Sequence, residues 1–281
     1  MQKMNENQQY CLDLVRRDDH ERFLISLFLP KSAQRAVWAL LAFNQEVAKI
    51  RENTTETKLG EIRLQWWLEV IDEIQSSSVR EQPVIMEMAS LEFSEKIWAL
   101  LKEILEARRL EMSSGRPGDL LALEQYALGT GGALHEAMAL VCGDNSINID
   151  ASRAARAAGA SWAMMGLIRA LPFHWQTNHS LLPAENDAAM QQRDAGKAFT
   201  ALKPAILRMK GFVEEQVLEA SDLYRKLVPA ERISLSSLVL TNLHLRSLSK
   251  ADGNPFNMPT AEFSDLYKIM RLFWFRLSGR I

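Results

Sequence analysis

The chain predicts an all-α fold, and three observations carry that expectation. Apolar residues recur at three- and four-residue spacing nearly throughout, the period of one helix face. Alternating runs closed by an Asn-Gly or Asp-Gly turn, the signature of hairpins, are missing. Prolines stand where helices should begin or end: Pro30, Pro83, Pro117, Pro172, Pro183, Pro229, Pro255 and Pro259. Neither a fixed-period repeat nor a low-complexity linker divides the chain, so one domain spanning 1–281 is expected.

Taken in order, the expected helices cover 5–17, 19–28, 32–52 (after Pro30) and 56–77. The last of these is marked by Leu59, Ile62, Trp66, Val70 and Ile74, with Arg63, Glu69, Asp72 and Glu73 mostly opposite. Pro83 opens 84–91. Phe93, Ile97, Leu100, Leu101, Ile104 and Leu105 give 93–113 its apolar stripe. Then follow 119–141 after Pro117, 150–171 up to Pro172, and 187–226 with a bend or break expected near Lys203-Pro204. Pro229 opens 230–248, and 260–278 follows Pro259.

Composition bounds the function. The 281 residues are 47% hydrophobic and 24% charged, ordinary globular values that allow a substantial core. A net charge of −2 and the lack of a basic stripe interleaved with aromatics exclude nucleic acid as an expected partner. Cys11 and Cys142 are too few and too distant for a metal knuckle or disulfide framework, so free thiols are expected. The segment Met1 to Gln9 is polar and does not resemble a signal peptide. Uncharged runs fall short of the roughly 18 apolar residues that span a bilayer, so any membrane contact is expected to be peripheral.

Several segments, in order and at compatible spacing, resemble the squalene/phytoene synthase family. Phe23 to Pro30 with Arg35 is similar to the family's S-F-x-x-A-x-x-L-P-x-x-x-R opening, with Arg22 at the diphosphate-contacting Ser. Trp38 to Glu52 resembles its first aspartate-rich helix, with Ala48, Lys49 and Glu52 at the aspartates. Arg63-Leu64-Gln65-Trp66-Trp67 and Tyr126 to Gly132 are similar to the R-L-x-x-W and Y-x-x-A-G-T-x-G helices. Trp162 to His174 resembles Q-x-x-N-x-x-R-D-x-x-E-D. There Arg169 is retained, while Ala163, Gly166, Ala170, Phe173 and His174 replace Gln, Asn, Asp, Glu and Asp. Leu181-Leu182-Pro183 sits where the family has Y-L-P.

The resemblance implies an isoprenoid (trans-prenyl) synthase-like helical bundle with a central cavity. Magnesium binds through hard oxygen ligands, and Ala48, Lys49 and Ala170 supply none, so neither a catalytic residue nor a metal is expected. The pattern of departures is similar to a branch represented in mitochondria by a non-catalytic complex I assembly factor. Complex I subunits or assembly proteins, and an isoprenoid or lipid ligand, are the implied partners. The alternative is a magnesium-dependent head-to-head prenyl transferase with an unusual metal site. The implied location is cytoplasmic or on the inner membrane of a bacterium, or the matrix side of a mitochondrion.

The ligand cavity is expected between 32–52, 56–77, 119–141 and 150–171. Its expected lining includes Phe43, Trp66, Tyr126, Gly129, Thr130, Met165, Gly166 and Arg169. Gly129-Thr130-Gly131-Gly132 inside a helical pattern points to close packing, to a ligand wall, or to a loop. It is no P-loop, because no Gly-Lys-Ser/Thr follows. His174 and His179, five apart, lack the three- or four-residue spacing of helical zinc ligands. Lys49 is a candidate for binding phosphate or a lipid headgroup directly. Lys268 to Arg280 joins bulky aromatics to four cations without an acid. That composition suits either an interfacial helix on anionic lipid or a docked last helix with basic residues near its C-terminal end.

Overall fold

The computed structural model describes residues 4–52, 54, 56–113, 116–177, 181–259 and 263–280. Among these, every regular element is helical. The order is α1 (Glu6–Asp18), α2 (His20–Ser26), α3 (Lys31–Glu52), α4 (Thr57–Gln75), α5 (Pro83–Ala89), α6 (Glu95–Ser113) and α7 (Leu120–Ala127). It continues with α8 (Ala133–Cys142), α9 (Ile149–Thr177), α10 (Asp187–Met190), α11 (Ala195–Tyr224), α12 (Pro229–Arg232), α13 (Ser237–Lys250) and α14 (Asp265–Ser278). None of the described helices is long and apolar enough to cross a membrane.

Local chemistry explains many of the helix starts. Asn5 and Gln8 form a reciprocal capping box at α1. Asp119 accepts from Ala122 N at 2.7 Å and Asp194 from Lys197 N at 2.8 Å, satisfying orphan donors of α7 and α11. Pro83 occupies the first turn of α5, where its missing N–H costs nothing. At the far end of α14, Gly279 turns left-handed (φ 65°) and donates to Phe275 O at 2.8 Å, a conformation a side chain would strain.

Three expectations are corrected. Helix α9 does not stop before Pro172 but runs on to Thr177. Proline removes one backbone bond there, and packing on both sides compensates. Leu171 is buried, and Trp175 donates to Gln192 O at 2.8 Å and meets Phe256 edge-on. Pro204 likewise leaves α11 unbroken, because Pro204 and Thr200 lie on the exposed face, where water can take the freed carbonyl. The actual break lies upstream, between Met190 and Ala195, beside an Arg116–Asp187 ion pair. On α4 the inward stripe is Gly60, Leu64, Trp67, Val70 and Ile71. Leu59 and Ile62 stay exposed, so the periodicity was helical but the stripe is rotated by about a residue.

One apolar cluster gathers α1, α3, α4, α5, α6 and α8 around Phe43, Leu64, Trp67 and Leu101. A second joins α2, the first half of α9, α13 and α14; a third joins α7, the second half of α9 and α11. Helix α9 thus sits centrally, and its first half is built of small residues: Ala154, Ala155, Ala157, Ala158, Gly159 and Ala160. Both cysteines are free thiols, with burial as the largest cause pushing each up to about 12.

The Gly129–Gly132 segment is neither loop nor interruption. Residues Leu128–Gly132 make a π-helical turn that joins α7 to α8. An inserted turn of this kind disturbs the regular ladder. Side chains repair it: Thr130 Oγ1 donates to Tyr126 O at 2.7 Å, and His135 Nδ1 lies 3.0 Å from Gly131 O. Burial, then the nearby Arg22 charge, lower the His135 pKa to about 3, so the ring is neutral and its Nδ1–H donates. The turn presses directly on α9. A methyl group added at Gly131 would stand 2.5 Å from Gly159 O, and one added at Gly159 would meet Gly131 O still more closely.

Because backbone faces backbone there, no rotamer change can make room. Gly131→Ala is expected to cost about 2–3 kcal/mol of unfolding free energy. Gly166, further along α9, has open space where its side chain would be, and Gly166→Ala should be neutral or stabilising by up to about 1 kcal/mol. Urea denaturation of both variants checks the contrast, and equal effects would contradict the close crossing.

Candidate functional site: two clefts beside the end of α9

The second half of α9 separates two clefts. On one side, a cleft of about 730 Å³ lies between the ends of α3, α6 and α9 and helix α7. Ala48, Arg51 and Glu52 line it from α3, Arg108 and Glu111 from α6, and Tyr126 from α7. Phe173, His174, Thr177 and Leu181 complete the wall. Positions 48, 52, 173 and 174, separated by more than a hundred residues of sequence, therefore share one cavity.

The floor of this cleft is a buried polar network. Arg108 donates from one nitrogen to Glu111 Oε1 at 2.9 Å and to Tyr126 Oη at 3.2 Å, and from the other to Asn44 Oδ1 at 3.3 Å. Tyr126 donates a short bond to Glu111. Burial and then Glu111 push the Tyr126 phenol well above its usual range, against the pull of Arg108, so it stays a donor. Burial also opposes the Arg108 charge, but Tyr126, Glu111 and Glu52 more than offset it.

This donor set does not fit magnesium. The carboxylates lining the cleft are Glu52 and Glu111, and Glu111 is occupied by Arg108 and Tyr126. Among the described residues, no group of three or more His, Cys, Asp or Glu is placed to hold a metal. One available carboxylate beside Arg51 and Arg108 falls short of what several magnesium ions bridging a diphosphate need, even where water completes each shell.

On the other side of α9 lies a cleft of about 620 Å³, lined by Gly166, Arg169, Ala170 and Phe173 with residues of α2 and α13, Phe256, Met258, Phe263 and Lys268. Phe173 borders both clefts. The centre of the second cleft is Glu21, mostly buried, at 2.9 Å from Arg169, 2.8 Å from Lys268 and 3.1 Å from His244 Nε2. A ring nitrogen that donates to Glu21 has no lone pair for Arg169, so the carboxylate organises the cluster. Burial works to raise the Glu21 pKa, but His244, Arg169 and Lys268 outweigh it and hold the group well below the ordinary range. The cluster keeps a surplus of positive charge, two permanent cations against one carboxylate.

The structure separates the remaining expected residues. Lys49 does not line either cleft; its Nζ lies 2.5 Å from Asp18. Arg17 first, with Lys49, brings the Asp18 carboxyl down to about 2. Phe43 is wholly buried against Trp67, and Met165 is packed in the third apolar cluster. Trp66 faces outward enough for Arg80 to stack on it at 5.0 Å. Gly129 and Thr130 are buried in the π turn. Arg22 pairs with Asp19 at 2.7 Å, and Gln45 donates to the same carboxylate at 3.0 Å. His179 lies outside the described residues. Sequence reading missed Arg51, Arg108, Glu111, Glu21, His244 and Lys268. Periodicity placed Arg108 and Glu111 on a helix, yet only burial marks them as a network.

The squalene/phytoene synthase family profile matches residues 15–267. A Bos taurus protein, "NADH dehydrogenase (ubiquinone) complex I, assembly factor 6", is 30% identical over 180 residues, 63% of this chain and 53% of that protein. The match thus spans about half the length of that relative. A Drosophila melanogaster homolog of the same assembly factor is 26% identical over 97% of this chain and 84% of its own. Among solved structures, a dehydrosqualene synthase superposes with a TM-score of 0.75 at 16% identity, covering 95% of this chain and 94% of that one. A squalene synthase from Alicyclobacillus acidocaldarius gives 0.70 at 13% identity, covering 89% and 95%. At such identities the structures show the all-α isoprenoid synthase fold alone.

The Glu21 cluster makes a pH-dependent contribution of definite sign. A carboxyl whose folded pKa is depressed stabilises fully above its unfolded value, near 4.5, and loses that contribution as pH falls toward the folded value. Glu21→Gln is expected to cost about 2–3 kcal/mol at neutral pH, discounted for the partly exposed Arg169. The difference from wild type should shrink below pH 4.5. Denaturant titrations at several pH values check this, and a difference that does not vary with pH would remove the assignment.

Proposed function

The chain belongs to the squalene/phytoene synthase family, and from that premise we propose that it is a non-catalytic member acting in respiratory complex I assembly. In this reading it holds an isoprenoid or lipid in the clefts beside α9. The observation that carries the reading is the 730 Å³ cleft, which keeps room for a ligand while its donor set fails magnesium. Ala48, Phe173 and Leu181 offer apolar wall; Arg51 and Arg108 offer positive charge. Such a lining suits an apolar chain with an anionic head. The names of the Bos taurus and Drosophila melanogaster relatives support the assembly role.

Ionising an allylic diphosphate requires charge stabilisation at the leaving group, and in a metal-dependent synthase the metal supplies several kcal/mol of it. The chain is therefore expected to give no head-to-head product from farnesyl or geranylgeranyl diphosphate with magnesium. A product formed with magnesium and abolished by a chelator would instead establish the prenyl transferase reading. Restoring Asp at Ala48, Lys49, Glu52, Ala170 and His174 should not create good activity, since Arg22, Ala163 and Gly166 also lack the supporting groups.

Ligand holding is tested by native mass spectrometry of the purified protein and by thermal shifts with isoprenoids and phospholipids. Wild type should retain or gain a ligand. Ala48→Phe, which fills the cleft from α3, should reduce the shift at least about tenfold in ligand concentration. Complex I activity in cells deprived of the chain tests the assembly role, and unchanged NADH:ubiquinone oxidoreductase levels would remove it.

A further inference from the structure

Helix α14 has two apolar faces, and only one of them is covered. Leu272 and Phe275 are buried, with Phe275 against Tyr224. Leu266, Met270, Phe273, Trp274 and Leu277 are each more than half exposed. At about 100° per residue these five fall within an arc of about 100°, and Tyr267, also exposed, extends it on one side. Isolated exposed apolar residues need no explanation, but a continuous row along about three turns does.

Charge identifies what the row meets. Arg271 and Arg276 stand at opposite edges of the apolar arc, and Arg280 follows it. Lys268 is turned inward to Glu21. The sole acid of the helix, Asp265, lies in its first turn and pairs with His20 at 2.8 Å. An apolar strip carrying Trp and Tyr, with one arginine at each edge and a third beyond its end, fits the boundary between acyl chains and anionic headgroups. A second copy of this chain fits poorly. A two-fold interface sets the same patch against itself, and here three arginines of each copy would meet one acid, Asp265, which His20 already engages.

We propose that α14 docks the protein on an anionic phospholipid surface, lying in the plane of the interface with Phe273, Trp274 and Leu277 inserted. The helix is about 21 Å long, and three arginines near the surface each add attraction to acidic headgroups. Phe263 and Lys268, at the start of this segment, also line the 620 Å³ cleft. The docked face is therefore beside the cleft, although docking itself requires no ligand there.

Flotation with the full chain provides the test, using vesicles of phosphatidylcholine alone and of phosphatidylcholine with an equal amount of phosphatidylglycerol. Wild type should bind the mixed vesicles, at least about tenfold more weakly without phosphatidylglycerol or in high salt. The double variant F273S/W274S alters side chains that are each more than half exposed, so it should stay folded with a small change in melting while vesicle binding falls at least about tenfold. No binding to mixed vesicles, or equal binding by the variant, overturns the proposal. So does a wild-type dimer in sedimentation equilibrium that the variant dissociates, since the row would then be a self-association surface.

Discussion

The close crossing of the π turn over α9 is the constraint on which the rest of the molecule depends. Helices normally keep their axes 8–10 Å apart because side chains stand between them. At Gly131 and Gly159 no side chain intervenes, and the two backbones meet. The contact fixes α9 in rotation and translation near its middle. Its far end then carries Arg169, Ala170, Phe173 and His174 to defined places some turns away. A helix held only by interchangeable alanines could slide by a turn. Backbone contact, with His135 tied to the carbonyl of Gly131, leaves one register.

That register decides which residues face each cleft. Positions 173 and 174 meet Ala48 and Glu52 of α3 on one side, and positions 166, 169 and 170 face Glu21, His244 and Lys268 on the other. The two sides differ in chemistry. On the α3 side, polar groups are withdrawn into a bonded floor of Arg108, Glu111, Tyr126 and Asn44, leaving walls of largely apolar carbon. Across α9, a single carboxylate is surrounded by cations whose charge it does not cancel. A network bonded to itself holds its groups in place, whereas surplus charge at a cleft attracts an anion.

Much of the fold could be read from the sequence, because helical period and proline placement are local signals. They placed α1 to α8 within a few residues and gave α6 its correct inward face. Local signals failed where distant packing decided the outcome. Pro172 should end a helix, and does not, because Trp175 and Leu171 have partners from other parts of the chain. The glycines announced close approach but could not say to what. Motif alignment brought Ala48, Glu52, Phe173 and His174 to one cleft, since those positions depend on inherited topology. It could not find Glu21, 223 residues from His244, nor foresee that Asp18 would claim Lys49. No periodicity encodes an ion pair between remote helices.

Lys49 and Arg169 show how neighbouring carboxylates assign charge beside the clefts. A lysine left bare at the end of α3 would keep an uncompensated charge in a partly buried place. Asp18, at the close of α1, neutralises it, so the lysine contributes to holding α1 on α3 and not to recognition. Arg169 is different. Its partner Glu21 is shared with Lys268 and His244, so one negative charge faces two permanent cations and an imidazole. Asp18 too serves two cations, Arg17 and Lys49, so the difference lies in place: Arg169 and Lys268 line a cleft, and Lys49 does not. The first motif helix also presents Arg51, which lines the 730 Å³ cleft, so each cleft receives one cation from a motif helix: Arg51 on one side of α9 and Arg169 on the other.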